Sequence, residues 1–344
     1  MNNSLIDIHG NIAKPFVMGS AANIGVIEGV NRVHHSNFLN NNLPDKCANL
    51  IIADPPYFEV KGAFDFVWED MKAYLLDVEK WAIECKRLLA DNGTLFWYGH
   101  AKKIAYAQII FDKYFNLENS LIWEKTSGAV LQGTKGLRCF TPLTERILMY
   151  SSEPKNNNEE NFFESFDVIR SYLVNECEKA DIKTKKQYEN ILASTNKSQH
   201  HLSKSHFHLI TELDYLKLQE YCVLNKKIAF LKPHEQLKFE YEQTRRPFLN
   251  VNEYTDVLKF KSETYITGKY DHETCKPETL TRALILTCSR PNDLVFIPFA
   301  GSGTEVAMSV KEGRRAIGYD IESKYVEMSN RRVQAILMKP ELFH

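Results

Sequence analysis

From Val30 to Tyr150, short apolar runs alternate with stretches whose apolar residues recur every third or fourth position. Ala48-Asn-Leu-Ile-Ile-Ala53 breaks off at Asp54-Pro55-Pro56, the pattern of a buried strand running into a turn. Tyr74, Leu75, Val78, Trp81, Ala82, Cys85, Leu88 and Leu89 then follow at helical spacing with one apolar face. Asp91-Asn92-Gly93 stops that helix, Thr94–Tyr98 reads as a strand, and Ala101–Phe115 as another helix. Leu121–Trp123 and Ile147–Tyr150 are strand candidates on either side of a loop with glycines at 128, 133 and 136. Strands alternating with helices predict a parallel α/β sheet.

The pattern breaks at Ser151–Glu160, a polar linker. From 161 to 250 the chain has no glycine and no strand pattern, and its texture is helical, with 14 basic against 12 acidic residues. Within it, 182–208 carries five lysines (Lys183, Lys185, Lys186, Lys197, Lys204) and four histidines (His200, His201, His206, His208) against one acid, Glu189. Pro233–Arg246 reads as one more helix, ended by Pro247. The stretch is a helical insertion with a basic centre. From Val251 the α/β pattern returns, with Glu278–Cys288 helical, Asp293–Ile297 a strand and Pro298–Thr304 a glycine loop that opens a helix ending near Gly313. Arg315–Tyr319 is a second strand with Asp320 at its tip, and Ser323–Leu337 is the last helix. The expected organisation is an arm over 1–30, one half of an α/β domain over 31–151, the insertion over 152–250 and the other half over 251–344.

A chain of 344 residues has room for about two domains. Its 44% hydrophobic and 25% charged residues exclude a disordered chain. With 43 basic and 44 acidic residues it is not a uniformly basic, histone-like protein, although a local basic patch would suffice to bind nucleic acid. No apolar run approaches the ~18 residues that span a bilayer, so no membrane association is expected. No basic segment followed by an apolar one opens the chain, so a cytoplasmic protein without a signal peptide is expected. Seven cysteines without a CxxC pair point to reduced core thiols. Neither they nor the histidines have the spacing of a ligand set, so no metal is expected.

The strand, glycine loop and helix at 293–313 set backbone N–H groups where the polar end of a ligand can sit. About twenty residues on, Asp320 stands where an acid accepts hydrogen bonds from ribose hydroxyls. The spacing fits an adenosine-containing cofactor, and the absence of GxGxxG disfavours a dinucleotide. Only one helix follows Asp320. The remaining strands of a cofactor-binding sheet must therefore come from 31–150, and the sheet is assembled from both chain halves. At the end of the first buried strand stands Asp54-Pro55-Pro56-Tyr57. Two prolines fix φ and remove two N–H donors, which leaves carbonyls facing outward beside a carboxylate and an aromatic ring. That set suits a planar amine, with two acceptors for its two protons and a face for stacking.

Asp54-Pro-Pro-Tyr57 followed far downstream by Pro298-Phe-Ala-Gly-Ser-Gly303 resembles the β-class of DNA amino-methyltransferases. The likeness extends through Phe64-Asp65, Trp68, Trp123 with Lys125, Glu145, Lys276-Pro277 and Gly313–Asp320 with Tyr325-Val326. The insertion is similar to the helical recognition regions of phage-type members. The resemblance implies a Rossmann-like methyltransferase sheet in circularly permuted strand order, with an inserted target-recognition domain. It implies S-adenosylmethionine (SAM) as cofactor, held by Asn37, Asp54, Lys276, Pro298, Phe299, Ala300, Gly301, Ser302, Gly303, Thr304 and Asp320. It implies Asp54, Pro55, Pro56 and Tyr57 as the catalytic tetrapeptide, acting on the N6 amino group of an adenine flipped from double-stranded DNA. Lys125, Lys135, Arg138, Lys185, Lys186, Lys197 and Lys204 are candidate DNA contacts. A role in restriction–modification and a homodimer are compatible with this resemblance.

Three positions depart from the family pattern. Ile297 stands where an acid is usual, Ser36-Asn37 where Gly-Asp is usual, and Glu273 where proline is preferred. These departures imply weak SAM binding when DNA is absent. Ile297 and Asn37 also leave open a DNA-binding protein whose methyltransferase site has decayed, and cytosine-N4 methylation is the nearest alternative within the family.

Overall fold

The structure is a computed structural model that describes residues 27–60, 67–126, 138, 140–152, 164–204, 207–262 and 275–338. In chain order the first elements are β1 (Arg32–His35), β2 (Ala48–Ala53), α1 (Met71–Leu88), β3 (Leu89–Gly99), α2 (Ile104–Phe111), β4 (Asn116–Lys125) and β5 (Thr144–Ser151). Five helices follow: α3 (Glu164–Lys179), α4 (Lys185–Leu192), α5 (Lys197–Leu202), α6 (Glu212–Leu224) and α7 (His234–Thr244). The chain then forms β6 (Val257–Phe260), α8 (Glu278–Cys288), β7 (Leu294–Ile297), α9 (Thr304–Lys311), β8 (Arg315–Asp320) and α10 (Ser323–Leu337). Two compact units result, one over Asn157–Thr244 and one combining Ile27–Asn156 with the chain from Arg245 onward.

The larger unit is an eight-stranded sheet in the order β1-β8-β7-β2-β3-β5-β4-β6. Its centre joins the two halves of the chain. Leu50 and Ile51 of β2 pair in parallel with Val295 and Phe296 of β7. All residues of β7 are buried, as are all but one of β2, which is why both read as continuous apolar runs. The sheet is mixed rather than wholly parallel, because β5 runs antiparallel to both β3 and β4. The reason is present in the sequence: no helical periodicity separates the candidates for β4 and β5, and strands joined without a crossover run antiparallel.

Helix α1 starts where the Asp70 side chain accepts the Ala73 N–H at 2.8 Å, and it buries Tyr74, Val78, Trp81, Ala82, Cys85 and Leu88. Asp91-Asn92-Gly93 does not separate helix from strand as expected. Strand β3 begins at Leu89, and the tripeptide falls where the β2–β3 register shifts, between the pairs Ala48–Leu89 and Leu50–Thr94. Its turn chemistry is absorbed by a bulge. Strands β1 and β6, four residues each, have no counterpart in the sequence pattern. Both lie at sheet edges, where a half-exposed strand leaves little apolar signal.

The smaller unit packs α3–α7 around a core of its own, in which Ile169, Leu173, Tyr188, Tyr215, Leu218, Phe230 and Leu237 are buried. A Thr184–Gln187 capping box starts α4. Its histidines are partly structural. His201 is 3% exposed, with Nδ1 2.9 Å from the Tyr188 hydroxyl. Burial, with Lys197 nearby, pushes His201 down from 6.5 to about 4. Below about pH 6.5 the unfolded chain therefore takes up a proton that the folded unit refuses. Acidification from pH 7 to pH 4 is expected to remove on the order of 3 kcal/mol of stability, and His201→Gln to flatten that loss. Urea denaturation of both proteins across this pH range measures the difference.

Among the described residues no helix is long and apolar enough to cross a membrane, and no group of three or more His, Cys, Asp or Glu could hold a metal ion. The six described cysteines are free and buried.

Candidate active site

The pairing of β2 with β7 sets the Asp-Pro-Pro-Tyr tip beside the glycine loop at the carboxyl ends of the strands, where ligands of open α/β sheets bind. A cleft of about 910 Å³ opens there. The loop from Pro298 to Gly303 leaves β7 and is pinned on three sides. Ala300 N–H donates to the Tyr319 carbonyl at 2.8 Å, Ser329 Oγ to the Gly301 carbonyl at 3.0 Å, and Arg332 to the Ser302 carbonyl at 2.6 Å. Gly303, at φ +74°, could not carry a side chain, since a Cβ would lie 2.5 Å from Ser329 Oγ. Asp320 closes the next strand. Its Oδ2 accepts the Gly301 N–H at 2.8 Å and its Oδ1 the Glu322 N–H at 2.9 Å. Burial pushes this carboxyl up, and the two backbone donors oppose that.

On the other side of the cleft, Lys276 is 5% exposed and binds two acids, Asp54 at 2.8 Å and Glu145 at 3.3 Å. Glu145 also pairs with Lys125 at 2.5 Å. Burial pushes the Asp54 carboxyl up, while Lys276 acts to keep it ionised. The two ammoniums overcome burial at Glu145 and hold it down to about 2. The Tyr57 hydroxyl donates to Asp54 Oδ1 and accepts from Lys276 Nζ at 3.2 Å. Tyr74 donates to the Pro56 carbonyl at 3.2 Å, whereas the Pro55 carbonyl has no donor among the described residues.

Asn37, Asp54, Pro55, Pro56, Tyr57, Lys125, Lys276, Pro298, Phe299, Ala300, Gly301, Ser302 and Asp320 all line this one cleft. Gly303 and Thr304 stand behind it, Thr304 with its hydroxyl 3.3 Å from the Cys275 thiol. Asn37 caps a short 3-10 turn by accepting the Leu39 N–H at 3.0 Å. Ile297 is fully buried at the end of β7 and forms no part of the wall. Arg138 is exposed. Lys135, His206, Glu273 and Phe64-Asp65 lie outside the described residues.

The basic candidates of the smaller unit divide in two. Lys197 is held by Asp214 at 2.8 Å, Lys183 by Asp181 at 2.8 Å and Lys204 by Asp167 at 4.0 Å. Lys185 and Lys186, in the first turn of α4, are exposed and have no ion-pair partner among the described residues. Sequence reasoning does not single out three wall or near-wall groups: His100, Tyr98 and Glu305. Glu305 has a bland reading available, an acid in the first turn of a helix, where the dipole favours one.

The family model for DNA methylases, N6_N4_Mtase, matches residues 48–331, which takes in both sides of the cleft. The chain belongs to that family. Among curated relatives of the methylase is the DNA adenine methyltransferase YhdJ of Escherichia coli K12, 24% identical over 297 residues, which are 85% of this chain and 78% of that protein. The type II methyltransferase M.HinfI of Haemophilus influenzae is 26% identical over 315 residues, 87% of this chain and 66% of that protein. Among solved structures, the putative DNA modification methylase TTHA0409 of Thermus thermophilus superposes with a TM-score of 0.47 at 18% identity, covering 89% of this chain and 95% of that one.

Proposed function

We propose that the methylase transfers the methyl group of SAM to the N6 amino group of an adenine flipped out of duplex DNA. The observation that carries this reading is that β2–β7 pairing sets the Asp54–Tyr57 tip and the glycine loop with Asp320 in a single cleft. The family description supports DNA as the substrate, and the name of YhdJ supports adenine in DNA.

The residues fit the cofactor. Asp320 keeps lone pairs for ribose hydroxyls after accepting two backbone amides, and the loop from Pro298 to Ser302 walls the space between it and Asp54. When bound, SAM supplies a sulfonium-activated methyl, so that the protein's contribution is mainly positioning. Adenine N6 is a poor nucleophile because its lone pair is delocalised into the ring. Asp54 and the Pro55 carbonyl accept its two N–H groups, which draws the nitrogen toward tetrahedral geometry and aims the lone pair at the methyl. Docking of the base exchanges the Tyr57–Asp54 hydrogen bond for one from N6 and frees the ring of Tyr57 to stack. Lys276 holds Asp54 as the carboxylate this step requires. Exposed Lys185 and Lys186 support DNA contact by the smaller unit.

Transfer of tritium from labelled SAM to duplex DNA, followed by nucleoside analysis, tests the reading. Label in N6-methyladenine is the expected result. Label in N4-methylcytosine, or retention of DNA without label, overturns it.

A further inference from the structure

Glu305 is a buried acid of the cleft left unused by the roles above. It stands in the first turn of α9, directly behind the glycine loop, 5% exposed and part of the cleft wall. Its Oε1 is buried without a hydrogen-bond partner among the described residues, a costly arrangement unless a ligand completes it. The groups that face it do not complete it. Asp54 reaches it from the tip of β2, Lys276 from the segment before α8, Arg332 from α10 and the Tyr98 hydroxyl from β3. Lys276 is shared between Asp54 and Glu145, and Arg332 is bonded to Ser302, Thr304 and Glu278. The Tyr98 hydroxyl is itself buried without a partner among the described residues. Asp54, Glu145 and Glu305 thus lie near Lys276 and Lys125, and Arg332, the other cation near Glu305, is already bonded to Glu278.

We propose that Glu305 is the anion that receives the α-ammonium of the cofactor's methionine end. The inference rests on the SAM-dependent reading of the cleft. Asp320 marks the ribose side and Asp54 the side of the transferred methyl. The stretch of wall adjoining both Asp54 and the glycine loop carries Glu305. The side chain at 297 cannot take this role, because it is an isoleucine buried away from the cleft.

Burial, with Asp54 nearby, pushes the Glu305 carboxyl up to about 7. An ammonium beside it favours the carboxylate. Below that pH, binding therefore breaks the carboxyl O–H bond, the proton passes to solvent, and an N–H···O ion pair forms. Affinity for a ligand with the ammonium rises with pH up to about 7 and holds above it only while the ligand's own amino group stays protonated.

The test is calorimetric titration of the whole protein with three ligands: SAM, S-adenosylhomocysteine and 5′-methylthioadenosine. The last keeps the nucleoside and sulfur but lacks the amino-acid end. Titrations at pH 6 and pH 8, in buffers of different ionisation enthalpy, count the protons released. Glu305→Gln is expected to weaken the first two ligands about 10- to 100-fold and to leave methylthioadenosine within about twofold. The wild-type protein should release a proton at pH 6 with the first two ligands only, Glu305→Gln should release none, and Glu305→Asp should retain the release. Equal losses on all three ligands, no loss on any, or unchanged proton release in Glu305→Gln each overturn the proposal. If none of the three binds the wild-type protein, either alone or with duplex DNA present, the cofactor reading falls and this one with it.

Discussion

Asp54→Ala is expected to lower methyl transfer by about 10³-fold while leaving the protein folded. The size of the effect follows from what the side chain does. It is one of two acceptors at the tip of β2 that can draw the amino group toward tetrahedral geometry, and the Pro55 carbonyl alone can take only one proton. The fold should survive because Lys276 keeps its second acid, Glu145, at 3.3 Å, so no buried ammonium is stranded. Asp54→Asn retains one acceptor and should lie between alanine and wild type. Single-turnover transfer to a labelled duplex and thermal melting read the two quantities separately. Activity of Asp54→Ala within tenfold of wild type would sink the assigned role.

Lys276→Met should damage both stability and activity. Without the ammonium, Glu145 keeps Lys125, but Asp54 loses the cation it is paired with. Stranding a buried charge typically costs about 3–5 kcal/mol, and that loss is expected at pH 7. In the wild-type protein Glu145 is held near 2 against an ordinary 4.5, so its contribution is present above pH 4.5 and disappears as pH falls toward 2. The stability gap between wild type and Lys276→Met should therefore narrow as the pH drops through that window. In the variant, Asp54 also loses the cation that keeps it ionised, so the acidic limb of the pH–rate profile should move up toward neutrality. Urea denaturation at several pH values and the pH dependence of kcat check the two halves. A gap that does not change with pH would show that Lys276 acts through packing alone.

Much of this architecture is visible in the sequence because its signals are chemical rather than merely periodic. Glu278–Cys288 and Ser323–Leu337 form with the expected boundaries, each with its buried residues at helical spacing. The assembly of the sheet from both chain halves, expected from the sequence, is seen in the pairing of β2 with β7. What the sequence hides is long-range partnership. The family resemblance implies a cofactor contact at Lys276, and nothing near it in the sequence shows that it ties Asp54 to Glu145, residues 222 and 131 positions away. Lysines 183 and 197 look like free phosphate contacts until the structure supplies Asp181 and Asp214. Glu305 looks like a helix-end acid until burial removes its partners. The direction of β5 is hidden for a different reason: helices and strands alternate on either side of it, and the pattern invites extension across the one gap that has no helical signal.

The seam between β2 and β7 also has a meaning for synthesis. Asn49 accepts the Leu294 N–H across a separation of 245 residues. In the proposed reaction the tip that would receive the base is made early, whereas the loop that would hold the methyl donor is made late. Closing so long a connection is slow compared with forming local helices. A nascent or truncated chain therefore carries an acceptor site with no donor beside it.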